Sequence, residues 1–122
     1  MKKIAVLITS HNRKEKTVAC LHALFNCSIP TGYQINIFLV DDGSTDGTAE
    51  KVMFTFPAVR IINGNGDLYW NRGMHLAWRT ALKSDTYDYF LWLNDDVTLF
   101  KTALEQLIVT STILPDSIIC GS

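Results

Sequence analysis

No apolar run in this sequence is followed by Gly-x-Gly-x-x-Gly, and no Gly-Lys-Ser or Gly-Lys-Thr loop occurs. Their absence excludes the dinucleotide-binding fingerprint and the phosphate-binding P-loop. An excess of one charge is missing too. Lys and Arg number 11 against 12 Asp and Glu, a net charge of −1, so the chain offers nucleic acid no electrostatic match. No apolar run approaches the roughly 18 residues of a membrane-spanning helix. Met1-Lys2-Lys3 before Ile4–Ile8 resembles the opening of a signal sequence, but the polar Thr9–Arg13 cuts it off, and a first strand is expected instead. The three cysteines, Cys20, Cys27 and Cys120, make no disulfide framework. Cys20 and Cys27 fall about 10 Å apart along an expected helix, beyond the roughly 7 Å that a bridge can span. Reduced, buried thiols follow. His11, His22 and His75 are scattered, with no Cys/His spacing for zinc.

What remains is a chain of 122 residues, 48% hydrophobic and 19% charged, long enough for one domain with a real core. Apolar runs alternate with helix-period segments. Ile4–Ile8, Ile35–Val40, Val59–Ile62 and Tyr87–Leu93 read as strands, and Ile118–Gly121 begins a fifth. Between them lie a helix after Asn12, capped by Asn12 with Glu15 as its reciprocal partner, and a second opened by Ser44 or Asp46. A third carries Met74, Ala77, Trp78, Ala81 and Leu82 on one face, and a fourth is opened by Thr102 with Glu105 and ended by Pro115. This alternation predicts an α/β fold: a doubly wound, mostly parallel sheet with helices on both faces. The continuous run Phe90-Leu91-Trp92-Leu93 reads as a strand buried on both faces. The same reading packs His75 against the sheet and Tyr69, Trp70 and Trp78 into the core, with a loop position that would let Trp70 line a sugar site. A fifth strand just begun at the end of the chain reads as a truncated domain, and its uncovered edge would favour pairing with a second copy as a homodimer.

The polar groups sit at strand ends, which all lie along one edge of a parallel sheet and where open α/β sheets bind ligands. Strand one ends in Thr9, His11, Asn12 and Arg13, strand two in Asp41 and Asp42, strand three in Asn65 and Gly66, and strand four in Asn94, Asp95 and Asp96. Two adjacent carboxylates repel each other unless a cation lies beside them. Oxygen donors favour Mg²⁺ or Mn²⁺, often shared with substrate phosphates. Taken singly, the acid pairs also read as plain strand-to-helix turns. Arg13, Lys14 and Lys16 crowd a helix start, where an anion would relieve their conflict with the helix dipole. Arg72, before Gly73, invites the same reading.

Together, Ile8-Thr9-Ser10-His11-Asn12-Arg13, Val40-Asp41-Asp42-Gly43-Ser44-Thr45-Asp46, Gly64-Asn65-Gly66 with Arg72-Gly73-Met74, and Leu93-Asn94-Asp95-Asp96-Val97 resemble the amino-terminal part of family 2 glycosyltransferases. The resemblance covers nearly the whole chain. It implies a GT-A fold and inverting, metal-dependent transfer of a sugar from a nucleotide diphosphate to an acceptor hydroxyl. By resemblance Thr9, His11, Asn12, Arg13, Asp41, Asp42, Asn65, Gly66, Arg72, Asn94 and Asp95 surround the donor nucleotide, with Asp42 holding the base. Asp96 matches the last acid of the family's Asp-x-Asp motif and would bind Mn²⁺ or Mg²⁺. Asn94 stands where the first Asp of that motif usually is, so it brings no charge. The implied partners are a UDP- or dTDP-sugar and a glycan or lipid-linked acceptor in bacterial polysaccharide or cell-surface glycan synthesis. The implied place is cytoplasmic, at the inner face of the membrane for a lipid-linked acceptor. In the family the general base follows the fifth strand, so the chain is expected to bind donor and turn over poorly by itself.

Three other readings compete. A nucleotidyltransferase should carry a glycine-rich, Arg-containing loop after strand one, and Thr9–Arg13 has no glycine. A receiver-type phospho-acceptor module should place its acid pair after strand one, whereas the pairs here follow strands two and four. A nucleotide-sugar-binding fragment without activity shares every motif above.

Overall fold

The computed structural model describes residues 1–97 and 99–113. Pro115 and the expected fifth strand at 118–121 lie outside them. The chain runs β1 (Lys2–Ser10), α1 (Lys14–Phe25), β2 (Tyr33–Asp41), α2 (Thr48–Thr55), β3 (Arg60–Asn63), α3 (Tyr69–Ser84), β4 (Tyr89–Asn94) and α4 (Ala103–Ile113). The four strands form one parallel sheet in the order β3-β2-β1-β4. The expected doubly wound α/β architecture is therefore what forms.

Alternation of side chains along β1 assigns the helices to two faces. Ile4, Val6 and Ile8, with Ile37, Leu39 and Leu93, pack against Cys20, Leu21 and Leu24 of α1, Val52 of α2, and Leu104 and Ile108 of α4. Ala5 and Leu7, with Phe38 and Val40, face Met74, Ala77 and Ala81 of α3. Cys20 and Cys27 are both buried and free. Burial, with Asp95 nearby, pushes the Cys20 thiol up to about 11. Cys27 lies beyond the end of α1 rather than on it. Among the described residues no helix is long and apolar enough to cross a membrane.

Several expectations need correction. The strand buried on both faces is β1, not β4. Among the described residues β4 is the sheet edge, and Trp92 is 45% exposed. The helix α3 begins at Tyr69, so Trp70 and Arg72 are helical. His75 is exposed, as are Tyr69, Trp70 and Trp78. Trp92 meets Trp70 and Trp78 edge-on, each at 5.9 Å between ring centroids. These rings form a surface ladder across α3 and β4, a geometry that aromatic quadrupoles favour.

Asn12 is not the cap of α1. The cap position is Arg13, with no side-chain hydrogen bond to the helix. Asn12 takes a left-handed backbone, φ 52°, and serves the next loop instead. Its N–H donates to Ser44 Oγ at 2.9 Å and its Oδ1 accepts from Thr45 N–H at 2.7 Å. The capping of α1 and α2 falls to one residue, Asp46. Its Oδ2 accepts from Lys14 N–H at 3.1 Å and its Oδ1 from Thr48 N–H at 3.0 Å. One carboxylate thus satisfies orphan donors of two helix N-termini, where negative charge is also favoured by the dipole.

Candidate functional site

Strand order decides where the site lies. From β1 the chain winds outward through β2 and β3, then returns by α3 to β4 on the other side of β1. β1 and β4 therefore meet side by side at the switch point of the strand order, whose carboxyl edge is where open α/β sheets bind ligands. The register makes the strand ends nearly flush: Ser10 pairs with Asp41, Thr9 with Asn94, and Asp41 with Asn63. A cleft of about 820 Å³ sits there, lined by Thr9, Ser10, His11, Arg13, Asp42, Gly66, Tyr69, Trp70, Asn94, Asp95 and Asp96. Asp42 and Asp96, from separate strands, share this hollow.

Arg13 meets the strand-four acids. One guanidinium nitrogen lies 3.5 Å from Asp95 Oδ1 and 3.3 Å from Asp96 Oδ2. The cation that two adjacent carboxylates require is thus supplied by the chain itself. The two acids differ in setting. The Asp95 side chain is only 10% exposed and Asp96 is 45% exposed. Desolvation raises the Asp95 pKa, opposed by the charge of Arg13 and the Ser10 hydroxyl. Asp95 therefore faces inward, and Asp96 presents its oxygens to the cleft.

On the opposite wall Asp42 is buried. Its Oδ1 accepts from Gly66 N–H at 2.8 Å, and its Oδ2 from Leu68 N–H at 3.1 Å and Tyr69 N–H at 3.0 Å. Asp42 therefore caps α3 from 27 residues away and folds the Gly66–Tyr69 loop over the cleft. Tyr69 is held with φ 57°, a backbone that bulky residues rarely adopt. Gly43 must be glycine here, since a Cβ would come within 2.8 Å of Gly66 Cα at φ 69°. His11 Nδ1 lies 2.6 Å from the Asp42 carbonyl oxygen and donates to it. Thr9 forms the floor, and its buried hydroxyl, set against Gly73 of α3, has no hydrogen-bond partner among the described residues. Such an orphan is costly unless a ligand or water completes it.

Not every expected site residue reaches the cleft. Asp41 turns its Oδ1 to Ser44 N–H at 3.2 Å, and Asn65 turns its Oδ1 to Asp67 N–H at 2.8 Å. Asn12 ties the loops together behind the wall. Arg72 lies elsewhere, lining a second hollow of about 430 Å³ with Leu68, Asn71, His75, Leu76 and Arg79. Ser10 and Tyr69 join the cleft without having been placed there from sequence, and Trp70, expected to reach a sugar site from a loop, lines it from the first turn of α3. Ser10 follows directly from the flush register, but the two aromatics depend on where α3 starts, which Asp42 sets.

Among the described residues no three His, Cys, Asp or Glu side chains converge as a metal-binding group. The donor set of Asp95 and Asp96 nevertheless suits a hard cation. Both carboxylates already attend a single positive charge, and the exposed one opens to a cleft with room for further oxygen ligands.

Residues 5–122 match the family Glycosyl transferase family 2. No curated protein matches the chain. Among solved structures, Staphylococcus aureus TarS residues 1–349 superposes with a TM-score of 0.73 at 18% identity, over 93% of this chain and 33% of that one. The same protein in complex with UDP-GlcNAc gives 0.71 at 18% identity, over 93% and 32%. A mannosyltransferase from Pyrobaculum calidifontis, in complex with GDP-Man and Mn²⁺, gives 0.68 at 22% identity, over 86% and 31%. At these identities the likeness is one of fold, the GT-A fold. The chain spans about a third of the length of these structures.

Proposed function

The chain belongs to glycosyl transferase family 2, and from that premise we propose that it forms the donor-binding half of an inverting, metal-dependent glycosyltransferase. The donor is a nucleotide diphosphate sugar, UDP- or dTDP-linked. The acceptor hydroxyl belongs to a glycan or lipid-linked glycan of a bacterial polysaccharide or cell surface. The observation that carries the proposal is the cleft at the β1/β4 switch point. It joins paired acids, a guanidinium and the Asp42 carboxylate in one hollow.

In this reading the nucleoside enters between Thr9 and the Asp42 wall. A carboxylate offers about four acceptor positions. Three at Asp42 are taken by backbone N–H groups, which leaves one for a base N–H. Asn94 hydrogen-bonds the ribose. Asp96, with Asp95 beside it, would hold Mn²⁺ or Mg²⁺. The bound ion supplies Lewis-acid stabilisation of the leaving diphosphate. Arg13 adds electrostatic stabilisation of the same group, and Trp70 and Tyr69 exclude water on the α3 side.

Calorimetric titration of the chain with UDP in the presence of Mn²⁺ tests this. Saturable heat at or below millimolar ligand is expected, and its loss in Asp96→Asn. No heat at millimolar UDP overturns the proposal. A second reading, donor binding without transfer, rests on the same cleft. Release of labelled sugar from bound UDP-sugar, measured over single turnovers, separates the two.

A further inference from the structure

We propose that Arg13 is the resident cation of the acid pair: it holds Asp95 and Asp96 while the cleft is empty, and it turns to the donor diphosphate when a divalent ion takes the pair. This rests on the donor-binding reading above and adds an exchange of cations to it.

The contact is built to be given up. One guanidinium nitrogen spans both acids at 3.5 and 3.3 Å, not the short, parallel fork of a strong Arg–carboxylate pair. The Arg13 side chain is 48% exposed, so solvent screens the attraction. A divalent ion on the same carboxylate oxygens would repel the guanidinium at this range, and the two cannot both stay.

The backbone beneath Arg13 cannot follow. The loop around it is tied rung by rung to the loop after β2, through His11 to Asp42, Asn12 to Ser44 and Thr45, and Lys14 to Asp46. Release is therefore left to the side chain, whose long stem pivots on a fixed Cα. It also has somewhere better to go. As the cap residue of α1, Arg13 carries positive charge at a helix N-terminus, where the dipole opposes it and favours an anion. Asp46 already gives that terminus one anion through Lys14 N–H, and a diphosphate beside it would add to the favourable field while taking the guanidinium. Two carboxylates against one guanidinium also leave the cluster short of positive charge, so a divalent ion and a diphosphate arrive together more favourably than either does alone. The exchange makes the order of binding legible. Arg13 discourages metal without nucleotide and encourages metal with it.

Titration of Mn²⁺ alone into the full chain, followed by the paramagnetic resonance of free Mn²⁺, reads the first half. Arg13→Gln should bind Mn²⁺ about two- to fivefold more tightly than wild type, the size of a partly exposed ion pair. UDP affinity at saturating Mn²⁺ reads the second half, and Arg13→Gln should weaken it about tenfold. Arg13→Lys should fall between on both counts, since it keeps the charge without the planar fork. Far-ultraviolet circular dichroism and urea unfolding confirm that each variant is folded, and Asp96→Asn sets the baseline for a lost metal site. If wild type binds UDP with Mn²⁺ but Arg13→Gln binds Mn²⁺ equally or more weakly, the exchange is overturned and the donor-binding reading stands. If wild type binds no UDP with Mn²⁺, the donor-binding reading itself falls.

Discussion

Replacing Asp42 by Asn keeps the size and shape of the side chain and changes one oxygen to a donor. The site is buried, and all its observed partners are N–H groups, from Gly66, Leu68 and Tyr69. Either orientation of the amide sets donor against donor. The cheaper one turns the NH₂ toward Gly66 and loses a single bond. Leaving that buried donor unpaired costs about 1–3 kcal/mol. The bonds to Leu68 and Tyr69 survive but lose their charge assistance, roughly 0.5–1 kcal/mol each. The sum is about 3 kcal/mol, which lowers the melting temperature of a chain this size by about 10–15 °C. The loss should be local first. Tyr69 is held at φ 57°, so releasing its N–H frees the first turn of α3 and the wall that carries Trp70. Urea unfolding measures the total, and hydrogen exchange at the Gly66, Leu68 and Tyr69 amides localises it. Stability within about 0.5 kcal/mol of wild type, with those three amides still protected, would refute the claim that Asp42 builds this wall.

Two further outcomes follow from the geometry. Gly73→Ala places a methyl group onto the Thr9 methyl and within 2.6 Å of its hydroxyl. Central strand β1 cannot yield, so α3 must shift, at a cost of about 1–3 kcal/mol. Thr9→Ala in the same background should recover part of that loss, and a fully additive double-mutant cycle by thermal unfolding would disprove the contact. Asp46 has its pKa lowered, first by its bond with the Thr48 hydroxyl, then by the Lys14 and Thr48 N–H groups. Its contribution is thus complete above the ordinary carboxylate value and is lost as pH falls through the lower folded-state value. Asp95, raised by burial, has the opposite sign, since its protonation relieves a cost. Asp46→Asn should lower the melting temperature at neutral pH and flatten the acid limb of the stability profile. An acid limb identical to wild type would exclude the double-cap role.

Much of this molecule is written locally. Apolar runs ending in Ser10, Asp41, Asn63 and Asn94, separated by helix-period segments, specify the element order, the parallel sheet and the edge where polar groups gather. These features arise from side-chain period and turn chemistry within a dozen residues, which a linear reading can see. The acids Asp42, Asp95 and Asp96 belong to the same class, because residues that follow the strands of a parallel sheet all fall along its carboxyl edge.

Other features needed the chain to come together. Placing β4 beside β1 brought their ends to one cleft and left Trp92 at an edge, although its run of apolar neighbours reads as interior. Asn12 has the residue type and spacing of a helix cap, but the loop after β2 offered it better partners, and Asp46 took over the helix. The start of α3, and with it the positions of Trp70 and Arg72, follows from Asp42 reaching back across the sheet. Arg13 found its carboxylates 82 and 83 residues away. Local preference determined which segments form and where their charges fall. Long-range hydrogen bonds and strand order decided which charges meet, because partners brought together only by folding leave no periodic trace along the chain.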